Sequence, residues 1–222
     1  MNEPAVIEAS GKVETQKAVR FVPLGISKVS ESEACVGAIS EDGSWVRPET
    51  PTLAEVKASG SPFLYFQWAN AELGESLERD PRPEDHHMVR RAQAEGWLAG
   101  EIRADFIRTH LDASAEDAFA GLRSLGLIKA KVHRIYRKQS TGGRVFLRAE
   151  FTDAKGATYD WIISEVKFPE EIEPYLVNGD ITPEFGKKLA GIFQSHGPVR
   201  LENRRLPEAG QIRGLERAAP IA

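Results

Sequence analysis

Two arginines flank a phenylalanine in the second half of the sequence, at a spacing that suits contact with a single-stranded nucleic acid. Arg144, Phe146 and Arg148 alternate with the apolar residues Val145 and Leu147. Since successive side chains of a strand point to opposite faces, the first three share one face of the predicted sheet. There a base can stack on Phe146 while the guanidiniums hold phosphates. The alternative is that Phe146 packs against a helix and belongs to the core.

The chain around this triplet is basic, with seven lysines or arginines and no acidic residue in residues 127–149. A local charge matters more to a polyanion than the net charge, because charges more than about 8–10 Å apart are largely screened. In the preceding strand, Lys129, Lys131, His133 and Arg137 share the parity opposite to the apolar residues. The alternative is a solvated hairpin. The candidate nucleic-acid-binding residues here are Lys129, Lys131, Arg134, Tyr136, Arg137, Lys138, Arg144, Phe146 and Arg148.

A second constellation could do metal chemistry. Asp153, followed by Glu165 and Lys167, has the order of the D…(D/E)-x-K residues of metal-dependent nucleases. In such sites two carboxylates hold Mg²⁺ and the lysine positions the nucleophile. Glu165 and Lys167 share a strand parity, as the chemistry requires, but Asp153 lies at the mouth of a turn. A metal-dependent nuclease is therefore an alternative function.

Other catalytic and cofactor signatures are missing from the sequence. It contains neither a G-x-x-x-x-G-K-[ST] loop nor a G-x-G-x-x-G turn, so a nucleotide cofactor is not expected. The histidines are scattered and there is one cysteine, so a zinc site is not expected. Ser140 and Ser164 lie in no nucleophile-elbow motif. We therefore expect a non-catalytic protein that uses no cofactor and no metal.

The composition is globular, with 41% hydrophobic and 28% charged residues among 222, but the charge is uneven. Residues 1–126 carry 13 Lys and Arg against 21 Asp and Glu, whereas residues 127–222 carry 16 against 12. The acidic first half suggests another alternative function, a protein-interaction subunit. No apolar run reaches the roughly 18 residues of a membrane span, so no membrane partner is expected. The single cysteine, Cys35, excludes an internal disulfide and fits a reducing cytoplasm.

A β-meander followed by a helix is predicted to position the basic residues. Strands over residues 127–138 and 144–153 flank a glycine-containing hairpin loop, and a second tight turn leads into a strand over 158–168. Thr182 as N-cap and Pro183 at the first position predict a helix that Gly197 ends. A last strand is predicted for Val199 to Leu206.

The first half is predicted to be a β unit followed by helices. Its predicted strands cover residues 19–24, 34–39, 44–47 and 63–68, with Asp42-Gly43 as a hairpin turn. An acidic, proline-bearing connector follows over 72–84. Leu98, Ile102 and Phe106 fall at helical spacing, and Ser114 is placed to cap a second helix.

Three stretches carry a resemblance to a known family. They are Val22–Ser27 with Glu33–Ile39 and Gly43–Pro48; Arg82–His86; and Leu147–Asp153 with Tyr159-Asp160. Together they resemble the dual-OB domain family of bacterial proteins, over most of residues 19–168. The order Val36-Gly37-Ala38 and the pair His86-His87, where a tryptophan is commoner, depart from the family pattern.

The resemblance implies nucleic-acid-binding or sensing modules linked to bacterial defence, without an agreed catalytic residue set. It adds Arg47, in Trp45-Val46-Arg47-Pro48, to the candidate nucleic-acid-binding residues. We expect single-stranded nucleic acid as the favoured partner and a separate effector protein to act with this one.

The expected fold is mainly β with a helical insert (α+β), as two small OB-like barrels joined by a proline-rich connector and helices. A single α+β domain is the competing architecture. The predicted boundaries are a flexible segment over 1–18, a first barrel over 19–72, a connector and helical insert over 73–126, a second barrel with its helix over 127–206, and a tail over 207–222.

Overall fold

The computed structural model describes residues 17–49, 51–77, 82–120, 123–166 and 168–187, together with the strands Val199–Glu202 and Ala218–Pro220. The fold is mainly β, as the sequence predicts. Residues 1–16, most of the predicted tail, the predicted helix beyond residue 187 and the predicted last strand beyond Glu202 lie outside the described residues.

A closed five-stranded barrel occupies the first half, in the order β1-β2-β3-β5-β4. β3 and β5 pair in parallel, and β4 returns antiparallel to β1 to close the barrel. This arrangement is consistent with an OB-like barrel. The strands are β1 (Lys17–Lys28), β2 (Ala34–Ser40), β3 (Trp45–Pro48), β4 (Gln67–Ser76) and β5 (Asp85–Trp97), and α1 (Leu53–Lys57) lies between β3 and β4.

The barrel extends beyond the predicted range of 19–72. β4 continues to Ser76, and β5 is formed by a segment that the sequence pattern assigns to the connector and the helical insert. β5 is mostly exposed and carries few apolar residues, so it lacks the alternation that identifies a strand. The predicted strand over 63–68 begins only at Gln67, because Phe66 has a positive φ of 59°.

β1 and β2 are buried on both faces. Inside the barrel, Phe21 and Ile26 pack with Val36, Ala38 and other core residues. Outside it, Val22, Leu24 and Ile39 pack against Phe66, Leu98 and Leu127. The helix α2 (Gly100–Thr109) covers this outer layer with Phe106 and Ile107, whereas Ile102, which we expected in the same apolar stripe, is 65% exposed.

The predicted meander is confirmed as a three-stranded sheet, β7-β8-β9, in the second half. Its apolar face packs Ile135, Phe151 and Trp161 against Phe119 and Phe168 from helices. The strand predicted for residues 127–138 is two strands that part at Lys129, and the first of them pairs with a different sheet. The elements are α3 (Ala115–Ala120), β6 (Leu125–Ile128), β7 (Ala130–Gln139), β8 (Val145–Asp153), β9 (Thr158–Ile163) and α4 (Phe168–Ile172).

A second closed barrel is not found among the sheets of the described residues. β6 instead lies at the edge of a separate three-stranded sheet with β10 (Val199–Glu202) and β11 (Ala218–Pro220). The predicted helix start is confirmed, because the amide of Phe185 donates to Thr182 Oγ1 at 3.2 Å and residues 183–187 are helical.

The two halves are joined by backbone hydrogen bonds between β1 and the chain that follows β9. The amide of Lys28 donates to the carbonyl of Ser164 at 3.1 Å, and the amide of Val166 donates to the carbonyl of Ile26 at 3.0 Å. The chain after β9 thereby forms an antiparallel bridge with the end of β1, between Glu165 and Ser27. This junction brings the β7–β8 hairpin next to the loop between β1 and β2.

A buried ion-pair cluster makes a second junction. Arg47 is 4% exposed, and its guanidinium bonds Asp85 at 2.8 Å, Ser124 Oγ at 2.7 Å and, as an ion pair at 3.3 Å, Glu84. Glu84 also accepts from the amide of Ser124 at 3.0 Å. Enclosed in this way, Arg47 does not offer its guanidinium at the surface, which corrects the role that the resemblance implies for it.

Replacement of Arg47 by methionine is expected to destabilise the protein by about 3–5 kcal/mol, because it removes the buried cation that Glu84 and Asp85 share, although Asp85 keeps its ion pair with Arg82. Urea denaturation measures the change. Arg108→Ala is the control, since the Arg108–Asp105 pair is exposed on α2 and its loss is expected to cost less than about 1 kcal/mol. Equal effects of the two substitutions would contradict the structural role of Arg47.

Candidate nucleic-acid interface

The predicted alternation of β8 is confirmed by its pairing and burial. Ala149 and Phe151 are buried in the core of the second half. On the opposite face, Phe146 lies across from Lys138 of β7, Arg148 across from Tyr136, and Glu150 across from Arg134. The face of the meander that bears these polar side chains, which we call the outer face, is therefore the one that the sequence predicts for binding. The outer face comprises Lys131, Arg134, Tyr136, Lys138, Phe146, Arg148, Glu150, Thr152, Thr158, Asp160 and Ile162.

A register shift in β7 changes which cations lie on this face. The shift falls between Val132 and Arg134, so that the strand alternation is offset after His133. Lys131 lies on the outer face across from Thr152, but Arg137 shares the opposite, apolar face with Ile135. The predicted common parity of Lys131 and Arg137 is therefore wrong.

Several of the predicted cations and aromatics are bound to each other and to two carboxylates, Asp160 and Glu150. Asp160 accepts from Arg148 Nε at 2.9 Å and from the Tyr136 hydroxyl at 2.7 Å. Arg134 pairs with Glu150 at 2.8 Å, and its guanidinium lies 4.2 Å from the centre of the Tyr136 ring. Burial and the bond to Asp160 raise the pKa of Tyr136, which keeps the hydroxyl a neutral donor. These groups form a frame across the sheet rather than open phosphate ligands.

The remaining cations are exposed and form no ion pair with a carboxylate of the described residues. Within the described part of the chain, no carboxylate forms an ion pair with Lys129, Lys131, Lys138 or Arg144. Arg144 lies with its guanidinium carbon 5.3 Å from the centre of the Phe146 ring. Phe146 is half-buried and belongs to none of the core clusters of the described residues. The outer face thus keeps an aromatic ring bordered by unpaired positive charge.

The barrel itself offers little of the surface that such folds use. OB-folds bind oligonucleotides on the face of strands 2 and 3 and with nearby loops, including the loop after strand 1. Here all seven residues of β2 and three of the four residues of β3 are buried. The packing of Leu98 and Leu127 on Ile39 covers part of that face. Of these binding elements, the loop between β1 and β2 stays exposed, and it adjoins the β7–β8 hairpin.

The nuclease constellation is not assembled. Asp153 accepts from the amides of Lys155 and Ala157, each at 3.0 Å, and from the amide of Ala115 at 3.3 Å, so it caps a turn and the start of α3. Glu165, about 20 Å away at the other end of β9, accepts from Tyr65 and from the amide of Phe168. Lys167 lies outside the described residues. The two carboxylates do not share a site, and no metal-binding cluster of three His, Cys, Asp or Glu occurs in the described ranges.

The sequence did not lead us to identify Asp160 as the carboxylate that binds Arg148 and Tyr136. The signal was available in the alternation of β9, where Asp160 has the parity opposite to the buried Trp161. That parity places a carboxylate in the middle of the basic face.

The sequence matches no protein-family model and no curated protein. No helix within the described residues is long and apolar enough to cross a membrane. The fold and the face define the class as a mainly β protein with a closed barrel and a basic, aromatic-bearing β-meander beside it.

Asp153→Ala is expected to lower the free energy of unfolding by about 2–4 kcal/mol, because it leaves buried donors unsatisfied. One of these is the Tyr159 hydroxyl, at 3.2 Å, and burial with the neighbouring Asp153 charge raises the pKa of Tyr159 to about 12. Thermal unfolding with and without Mg²⁺ checks the structural role. We expect Mg²⁺ to leave the Tm of the unsubstituted protein unchanged. If Mg²⁺ raised that Tm and Asp153→Ala abolished the increase, the result would favour the metal-dependent nuclease.

Proposed function

We propose that this protein is a non-catalytic nucleic-acid-binding module that holds a single strand on the outer face of the meander. The observation that carries the proposal is the half-buried Phe146 with the exposed cations Lys138 and Arg144 beside it, neither of which has an ion-pair partner among the described residues. Lys131, Lys138 and Arg144 are the phosphate contacts, and Lys129 extends them at the end of the sheet. Arg134, Tyr136 and Arg148 form the frame that positions them.

A single strand suits this face better than a duplex. Stacking on Phe146 requires a base that is not already stacked between its neighbours in a helix. The cations lie on both strands of the hairpin, at Lys131 and Lys138 on β7 and at Arg144 just before β8, so they can follow a flexible backbone. An extended single strand laid along the sheet brings its phosphates and an unstacked base to the surface together.

The wider expectations from the sequence belong to the same proposal. The closed first barrel is consistent with an OB-like fold. The dual-OB resemblance and the link to bacterial defence stay predictions from the sequence. The binding module then works in the cytoplasm with an effector protein encoded separately. Arg47 is not among the proposed binding residues, because its guanidinium is buried and paired inside the fold.

A protein-interaction surface on the first half is the second candidate. Trp97 at the end of β5 is 64% exposed, and Ile102 on the adjacent α2 is similarly exposed. Exposed apolar side chains of this size are common at protein interfaces. The acidic charge contributes less than the sequence suggests, because Glu72 and Glu95 are already paired with arginines.

The logarithm of the affinity for a fluorescent single-stranded oligonucleotide is expected to fall linearly with the logarithm of the salt concentration, with a slope of about −0.7 per phosphate contact. Lys138→Ala and Arg144→Ala are each expected to reduce that slope by somewhat under one unit. Arg90→Ala on β5 is the matched control and should leave it unchanged, since Arg90 lies on the barrel. Fluorescence anisotropy measures all three. Absence of binding at about 50 mM salt to single- and double-stranded probes would remove the proposed function.

Phe146→Ala is expected to weaken single-strand binding by about 1–3 kcal/mol, because a base loses its stacking partner, while the salt slope stays the same. Its melting temperature should change little, since Phe146 lies outside the core clusters. Phe151→Ala on the opposite face is the contrasting variant and should cost about 3–5 kcal/mol of stability. A comparable loss of stability in Phe146→Ala would identify Phe146 as a core residue and refute stacking.

A further inference from the structure

A cleft of about 700 Å³ lies where the tip of the β7–β8 hairpin meets the loop between β1 and β2. The hairpin contributes residues 144–147, and the loop contributes residues 28–31 on the other side. The chain after β9, which hydrogen-bonds to the end of β1, runs between them over residues 162–166. The cleft therefore exists only because the meander is joined to the barrel.

Its lining combines apolar surface with positive charge. Phe146, Leu147 and Ile163 supply ring and aliphatic surface. Arg144 reaches the cleft from the hairpin tip, and Arg137 reaches it from the opposite face of the sheet. Pockets that hold small ligands typically have this character, with an apolar lining, a few polar groups and a volume of about 300–1,000 Å³.

Two further groups bear on what the cleft can hold. The Ser164 hydroxyl is buried at its lining and has no hydrogen-bond partner among the described residues. Glu31 pairs with Lys28 at 2.7 Å at the rim. The bond and charge of Lys28, with a smaller contribution from Arg144, lower the pKa of Glu31. A carboxylate thus already occupies part of the positive field at this rim, where an anionic ligand would compete with it.

We propose that this cleft holds one nucleotide of the bound strand, with its base against Phe146 and its phosphate between Arg144 and Arg137. The inference rests on the proposed function and specifies it. A nucleotide combines the flat aromatic group that suits the apolar lining with the anion that two guanidiniums bind. The buried Ser164 hydroxyl is available to a polar edge of the base or to the sugar.

Arg137 separates this proposal from binding on the outer face alone. A strand that contacts only the outer face would not touch Arg137, which lies on the other face of the sheet. A nucleotide in the cleft would touch it. Substitution of Glu31 should change nucleotide affinity in the opposite direction to substitution of Arg137. Removing the Glu31 charge leaves Lys28 and Arg144 free to bind the phosphate.

Calorimetric titration of the full chain with adenosine 5′-monophosphate tests the cleft directly. Arg137→Ala is expected to weaken binding of this nucleotide about tenfold through loss of a charge-assisted contact. Glu31→Gln is expected to tighten it about threefold by removing a competing charge. The Glu31 side chain is 95% exposed, so this variant does not threaten the fold. Arg90→Ala, which removes an exposed cation on β5 of the barrel, is the matched control and should change nothing.

The outcomes separate the two proposals. Nucleotide binding that Arg137→Ala weakens and Glu31→Gln tightens supports the cleft site. Oligonucleotide binding with its expected salt slope, but no nucleotide binding and no effect of Arg137→Ala, would overturn the cleft site and leave the outer face as the interface. Binding of the nucleotide without any oligonucleotide binding would overturn the proposed function instead. Loss of both would overturn both.

Discussion

The ion pairs of Arg47 hold together β3 and β5, the parallel strand pair of the barrel. β3 and β5 pair over two residue pairs only, and Arg47 is itself the register partner of Asp85, the residue that its guanidinium binds. The same guanidinium bonds Ser124, immediately before β6. A buried charge that loses its partner is costly, so registers that separate Arg47 from Glu84 and Asp85 are disfavoured. The pairing of β3 with β5 and the position of β6 are therefore both tied to one enclosed side chain.

That position of β6 has a consequence for where the protein can bind. Once β6 is fixed beside the barrel, Leu127 packs on Ile39, and α2 adds Phe106 to the same layer. The strand face that an OB-like barrel commonly offers to ligands becomes an internal interface, and β2 is buried along its whole length. The exposed polar surface lies instead on the meander, and helices cover the meander's apolar face. The barrel then acts mainly as a support and contributes its β1–β2 loop.

Asp160 divides the cations of the meander into two groups. By binding Arg148 and Tyr136 together, it turns two candidate ligands into parts of a fixed network. Arg134 joins that network through Glu150 and the Tyr136 ring. Such a frame limits the motion of the strands and leaves Lys138 and Arg144 exposed beside Phe146. Rigid support beside exposed groups is what a binding surface needs in order to lose little entropy when a ligand arrives.

The sequence by itself determined the features that arise from local geometry. Turn residues and alternation located the meander, the parity of Phe146 against Phe151, and the cap at Thr182, because these depend on residues a few positions apart. It also identified the basic character of residues 127–149.

Only the tertiary structure decided which of those residues are available. The register shift at His133 turned Arg137 to the other face, Asp160 on a neighbouring strand occupied Arg148, and carboxylates about 40 residues away along the chain enclosed Arg47. β5 entered the barrel although it has no strand-like alternation, because pairing with β4 and β3 rather than its own pattern defines it. Contacts between residues that are distant along the chain depend on how whole elements pack, and a strand pattern contains no information about its neighbours' charges.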